Sequence, residues 1–245
     1  MGALAAGGAA LVVGSDFEAG EGPAAFTGPS EKSYTLGGFE AISTSGPQDV
    51  QVTLGDRFEV RAEGSPMALA QLEPFILDGK LTIAPKEGFN WGNWRSLSGA
   101  TFYVTLPKLE TVAVAGSGNV RIDRIEGESF EGTIAGSGEL SIATMQVDEA
   151  DFRIGGSGNV VAAGTARETR VSIGGSGEVR GGGLRSQTAS VSIGGSGDVE
   201  LTVEDEADVS IAGSGDVAIS GPGRCSVTRF RGGNVRCTGG GGTDD

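Results

Sequence analysis

The sequence predicts an all-β protein, a parallel β-solenoid with coils of about 20 residues, and three observations carry that prediction. Gly-Ser-Gly recurs six times, with its serine at Ser117, Ser137, Ser157, Ser176, Ser196 and Ser214, at spacings of 20, 20, 19, 20 and 18 residues. The columns around each serine repeat as strictly: three residues before it stand Val114, Ile134, Ile154, Ile173, Ile193 and Ile211, and three after it Val120, Leu140, Val160, Val179, Val199 and Val217. Five before it come Val112, Gly132, Phe152, Val171, Val191 and Val209, so apolar positions advance in steps of two, the period of a strand with one face inward. Glycine, finally, is 45 of 245 residues, with only 8 prolines, which excludes collagen and proline-rich linkers. A unit of two or three short strands and no helix cannot bury its apolar face alone. Stacked copies can, each rising by one interstrand spacing of about 4.8 Å.

Along the chain, Met1 to Val13 is a short apolar run, too short to cross a bilayer as a helix. It resembles the apolar region of a secretory signal without the preceding positive charges, and export is favoured over a flexible Ala/Gly tail. Residues 14–33 are small, polar and turn-rich and read as a linker, so 1–33 is set apart from a solenoid domain over 34–238. Within it, 34–110 is an irregular β region. Val50 to Leu54 and Phe58 to Arg61 read as strands, Phe75-Ile76-Leu77 and Lys80 to Ile83 as a hairpin through Asp78-Gly79, and Met67 to Leu72 as a short helix. Lys86 to Gly99 reads as a loop. The repeat coils fill 111–238, and the glycine-rich 239–245 is expected to be a disordered tail.

Gly-Ser-Gly suits a corner: glycine permits φ > 0 and close stacking, and the serine hydroxyls are expected to bond to neighbours above and below. The shortened repeats should lose their residues opposite that corner. An early copy is expected over Ile42 to Val52, with Gly46-Pro47-Gln48-Asp49 at its corner, and a degenerate last one over Phe230 to Val235. Cys225 and Cys237 fall at offsets that correspond to Phe130 and Ile142 around Ser137, both inward columns. They are expected to form a disulfide, for which the last coil must flatten.

The composition excludes much chemistry. There is no histidine, which removes imidazole bases and histidine-bearing metal sites, and 18 Lys+Arg against 32 Asp+Glu leave a net charge of −14, unsuited to nucleic acid. No repeat fits the G-x-S-x-G elbow of a serine hydrolase. Gly-Gly-Ser-Gly-Asp-Val approaches the calcium-binding nonapeptide but carries valine where that motif needs aspartate. The column two after each serine reads Asn119, Glu139, Asn159, Glu178, Asp198 and Asp216, and its last three carboxylates are expected to stack as a solvated edge rather than a cation site. Gly28 to Ser33 lacks the glycine of a P-loop, and Gly175 to Arg180 the last glycine of a dinucleotide fingerprint. No cofactor, catalytic residue or metal ligand is assigned. The candidate binding residues are Phe89, Trp91 and Trp94, aromatics suited to stacking on sugar rings or a protein partner.

The stretch Phe102 to Leu109 leading into Val112-Ala113-Val114-Ala115-Gly116-Ser117-Gly118-Asn119-Val120, after a loop with Asn90-Trp91-Gly92-Asn93-Trp94, resembles the bacterial auto-transporter adhesin head domain, the GIN domain, over roughly Phe39 to Cys237. The resemblance implies a right-handed β-helix in an exported or envelope-associated bacterial protein, and brings no catalytic residues. The function expected is therefore a non-enzymatic structural or adhesin-like interaction module of the periplasm, outer membrane or cell surface. Its partner would be an envelope protein or a glycan. A polysaccharide-binding module using Trp91 and Trp94 is the alternative, and a β-helix polysaccharide lyase a further one. The ladders offer glycine, serine and small residues where a lyase needs carboxylates beside Arg or Lys.

Overall fold

Strand pairing follows the repeat columns residue for residue. In this computed structural model, which describes residues 30–230, 232–239 and 243–244, Val112, Gly132, Phe152, Val171, Val191, Val209 and Val227 form one continuous column across successive parallel strands. The protein is a parallel β-solenoid. The export-like segment, and most of the expected linker, lie outside the described residues.

The chain enters through β1 (Ser30–Tyr34), which pairs antiparallel with β4, so Ser30 to Ser33 belong to the sheet and not to the linker expected there. The next two strands, β2 (Ala41–Gly46) and β3 (Asp49–Leu54), make the early coil, with its corner at Pro47-Gln48. The chain then turns back through β4 (Glu59–Gly64) into α1 (Pro66–Gln71). Ser65 caps that helix by accepting from the Ala68 N–H at 3.1 Å, and Pro66, without an N–H to satisfy, starts it. Next come β5 (Leu72–Leu77) and β6 (Lys80–Pro85), an antiparallel hairpin whose turn residues Asp78 and Gly79 both have positive φ, as a type I′ turn requires. Two 3-10 turns meeting at Asn93 occupy Trp91–Leu97, where a plain loop was expected, and lead to β7 (Thr101–Leu106).

The spatial order of these strands differs from their sequence order. β2 lies between β6 and β8 (Thr111–Gly116), while β3 lies between β7 and β9 (Val120–Ile122). The pair β6–β7 is thus itself a coil, stacked beyond β2–β3, and the chain passes over the β2–β3 coil to begin β8. What sequence alone reads as irregular over 34–110 holds two coil layers, closed at their outer side by the antiparallel β5, β4 and β1.

From β8 onward the stack grows in order through β10 (Ile125–Gly136), β11 (Glu139–Gly156), β12 (Asn159–Gly175), β13 (Glu178–Gly195) and β14 (Asp198–Ile211). It ends in β15 (Asp216–Ser220), β16 (Arg224–Arg229) and β17 (Asn234–Thr238). A two-residue rung, β18 (Thr243–Asp244), pairs with Ser226 and Val227, within the stretch expected to be a disordered tail. The shortened coils lose residues on the far side from the corner: Ile142 and Met145 face Ala162 and Gly164, and Gly181 and Arg185 face the adjacent Leu201 and Thr202.

The core fills the interior from end to end. Ile134, Leu140, Ile173, Val179 and Ile193 are buried, and the rings of Phe130 and Phe152 in adjacent coils meet at a tilt of 59° with centroids 6.3 Å apart. Gly132 breaks its valine column because of these rings: a Cβ there would lie 2.6 Å from Leu140 Cδ2 and 3.2 Å from Phe152 Cδ1. Among the repeat coils the buried hydroxyls of Thr169 and Ser186 bond to each other at 2.6 Å.

Candidate functional site

The ladder serines Ser117, Ser137, Ser157, Ser176, Ser196 and Ser214 stand exposed along one edge of the solenoid. Their backbone makes the ladder. Each serine N–H donates to a glycine carbonyl one coil earlier, as from Ser137 to Gly116, Ser176 to Gly156 and Ser196 to Gly175, each at 2.8 Å. The expected ladder of hydroxyls is not formed among the described residues, because the side chains point to solvent while the N–H groups take up the neighbouring carbonyls. Both glycines are sterically required: a Cβ on Gly156, where φ is +135°, would meet the Gly136 carbonyl oxygen at 2.5 Å, and one on Gly158 the Gly138 oxygen at 2.6 Å.

In the acidic column beside this edge Glu178, Asp198 and Asp216 follow one another on adjacent coils and line one shallow hollow with Arg236. Glu178 is held by the Arg180 guanidinium through Nε at 2.8 Å and Nη2 at 2.5 Å, and Asp198 Oδ1 accepts the Asp216 N–H at 2.9 Å. At the first corner Asp49 Oδ1 likewise accepts from the backbone and side-chain nitrogens of Asn119. Asp198 and Asp49 fasten one coil to the next, while Glu178 and Arg180 pair within one strand. Among the described residues no group of three His, Cys, Asp or Glu is placed to hold a metal ion. On the sheet face Arg153 pairs with Glu131 and Asp151, and Arg170 with Glu149 and Glu168; burial raises the Asp151 pKa while the Arg153 charge opposes it.

The corner of the β6–β7 layer is different. Every later coil turns there in two to four residues, but between Pro85 and Thr101 the chain has fifteen, Lys86–Ala100. Hydrogen bonds seat this insertion at both ends, from the Lys86 N–H to the Gln71 carbonyl at 2.8 Å and from the Asp49 N–H to the Ala100 carbonyl at 3.1 Å. Leu97 and Ala100 are buried anchors. Asn90 starts the first 3-10 turn by accepting from the Gly92 N–H at 2.9 Å. Of the candidate aromatics, Phe89 packs half-buried against the core, whereas Trp94 is 44% exposed, with the Arg95 guanidinium 5.5 Å from its ring centroid. Trp91 begins the first 3-10 turn, and its side chain lies outside the described set. Between α1 and the insertion opens a hollow of about 740 Å³, lined by Met67, Gln71, Lys86, Asn90, Asn93 and Arg95 among others.

Two features here were not legible from sequence. Gln48, fully buried at the early corner, donates from Nε2 to Thr44 Oγ1 and the Ser45 carbonyl at 2.9 Å and to the Ile83 carbonyl at 3.2 Å, tying β6 to the early coil beneath the insertion. Its place where later coils have the serine-glycine turn was the signal available. The other is the hollow itself, since Met67 and Gln71 reach it from a helix that nothing in the sequence linked to the aromatic loop.

At the opposite end, Cys225 and Cys237 are joined by a disulfide with Cα atoms 6.5 Å apart. They extend the inward columns of Ala207 and Ile219.

A stack of parallel coils with an elaborated corner at one end and a cross-linked coil at the other defines a class of β-solenoid, and comparison with known proteins narrows it. Residues 38–223 match the family described as "Putative auto-transporter adhesin, head GIN domain", and the chain belongs to that family. Among solved structures it is similar to an adhesin-titled protein from Bacteroides fragilis, with TM-score 0.78 and 19% identity over 86% of this chain and 98% of that one. Another, adhesin-titled, from Parabacteroides merdae, has TM-score 0.67 and 18% identity over 87% and 97%. A third, from Parabacteroides distasonis and titled as lipid-binding, has TM-score 0.65 and 18% identity over 90% and 98%. At such identities the likeness is one of fold. No curated protein sequence matches. No helix among the described residues is long and apolar enough to cross a membrane.

Proposed function

We propose that this chain is a non-enzymatic, exported interaction module of the bacterial envelope or cell surface, adhesin-like in role, which engages its partner through the Lys86–Ala100 insertion. The observation that carries this reading is the replacement of a tight corner by fifteen residues at one layer only, ending in buried anchors and presenting the half-exposed Trp94 beside a hollow. Corner insertions in a solenoid leave the stack undisturbed, so they are where binding surfaces are added. Membership of the adhesin family and the Cys225–Cys237 disulfide, which suits an oxidising compartment, support the placement. The site favours a glycan over a flat protein epitope, because amide side chains around a concavity, with the exposed Trp94 indole next to Arg95 at its margin, offer a sugar bonds for its hydroxyls and stacking for its C–H face. The absence of histidine and the fastening of the acidic column between coils support a binding role over catalysis.

The test is a glycan array probed with the wild-type chain and with the Trp91→Ala/Trp94→Ala variant. Binding by the wild type that the variant loses, with an unchanged melting temperature, is the expected result. Equal binding by both would remove the insertion from the interaction.

A further inference from the structure

The hollow beside the insertion has a cationic lining on an acidic molecule. The chain has a net charge of −14, yet the two side chains of highest reach in this lining are Lys86 and Arg95, with Glu87 the one acid in the lining. Elsewhere Arg57, Arg61, Lys108, Arg124, Arg153, Arg167, Arg170 and Arg180 pair with carboxylates. Among the described residues neither Lys86 nor Arg95 has a carboxylate within 4.0 Å. Arg95 is instead steered by Trp94, over whose ring it lies. Two unneutralised cations on one concave surface of an acidic protein are matched by an anion brought from outside.

We infer that the hollow between α1 and the Lys86–Ala100 insertion binds a carboxylate-bearing sugar of the uronic acid class, the carboxylate meeting Arg95 and Lys86 while the ring lies against Trp94. This deepens the glycan reading above and rests on it. The guanidinium fork matches a carboxylate in two parallel hydrogen bonds, and Lys86 adds a point charge. Asn90, Asn93 and Gln71 supply amide donors and acceptors for ring hydroxyls along the same lining. A hollow of about 740 Å³ is within the range of small-ligand sites and has room for two sugar rings. The net negative charge of the chain sharpens the selection, since it disfavours the approach of anions in general.

The experiment is calorimetric titration of the full chain with a trimer of α-1,4-linked galacturonic acid and with the same trimer methyl-esterified, which keeps the rings and removes the charge. The wild type is expected to prefer the acid by about tenfold or more, as a hydrogen bond to a charged partner warrants. Arg95→Gln and Lys86→Gln, both on exposed side chains, should erase the preference and leave the melting temperature unchanged, whereas Trp94→Ala should weaken both trimers alike. Equal binding of acid and ester, or an acid preference that survives Arg95→Gln, overturns the carboxylate inference. If the ester alone then still binds in a Trp94-dependent way, the glycan reading stands without it. Binding of neither trimer overturns the uronic acid assignment, and the array result decides the wider reading separately.

Discussion

Inward and outward positions alternate so strictly here that neighbouring residues have opposite tolerances. Ile193 is 1% exposed, between Ile173 and Ile211 in its column, while Ser192 beside it points to solvent between Ser172 and Ser210. Ile193→Asp buries a carboxylate with no partner, at a cost of several kcal/mol, comparable with the stability of a whole domain. Thermal melts should show that variant unfolded or lowered by tens of degrees and Ser192→Asp nearly unchanged; equal melts would mean the faces are wrongly assigned. The two glycines before Ser176 make a second contrast. Gly175 has φ +148°, and a Cβ on it would lie 2.2 Å from the Gly156 carbonyl oxygen, whereas a Cβ on Gly174 approaches nothing closer than 3.9 Å. The sequence itself places Ala115, Ala135 and Ala212 in the Gly174 column. Gly175→Ala should therefore cost at least about 1–3 kcal/mol and Gly174→Ala close to nothing, measured by chemical denaturation.

The element most dependent on a covalent tie is the last coil. Among the described residues, strands β16 and β17 have a neighbour on one side only along most of their length, and Val235 and Cys237 in β17 are half-buried. An edge of this kind frays, and it also offers unpaired N–H and C=O groups to another chain. The disulfide fastens it: closing a loop over a separation of 12 residues stabilises by about 3 kcal/mol in the chain-entropy account. Arg224, Arg229 and Arg236, with no acid between Val217 and Thr243, add like charges that disfavour edge-to-edge pairing of two copies. Reduction, or Cys225→Ser, should make the amides of β16 and β17 exchange with deuterium first and fastest, leaving β11 to β13 protected. Loss of protection spread evenly over all coils would argue against a local staple. The inward direction of both cysteines followed from the repeat offsets. Their closeness did not, because it depends on how the final coil folds across its own interior.

For the molecule as a whole, stability runs along the stack, each coil resting on its two neighbours, so the ends need covers. The N-terminal cover is β5, β4 and β1, paired antiparallel and therefore unable to continue the parallel register outward. A chain truncated to residues 111–245 would lose β2, β3, β6 and β7 and expose β8 and β9 along their full length. Light scattering should show it aggregating at concentrations where the full chain is monodisperse; a monodisperse truncated chain would show that the N-terminal layers are dispensable for solubility.

Repetition is what made this protein legible. Once Val112, Phe152, Val171 and Val191 occupy one column, the period, the corner, the inward face and the place where shortened coils lose residues all follow, because a strand has only two faces and a stacked coil must align like with like. The aromatic loop was also visible as a cluster of Trp91, Trp94 and Phe89. Only the tertiary structure decided which coil lies next to which at the N-terminal end, since β2–β3 and β6–β7 carry equivalent alternating patterns and nothing local orders them along the axis. That order puts the Lys86–Ala100 insertion on a solenoid corner, brings α1 against it and splits its aromatics between core and solvent. Bonding at the corners was decided there too: the serine hydroxyls gave way to backbone N–H groups and Asp198 accepted the Asp216 N–H, because partners within 3 Å are set by the stacking of coils about twenty residues apart in sequence.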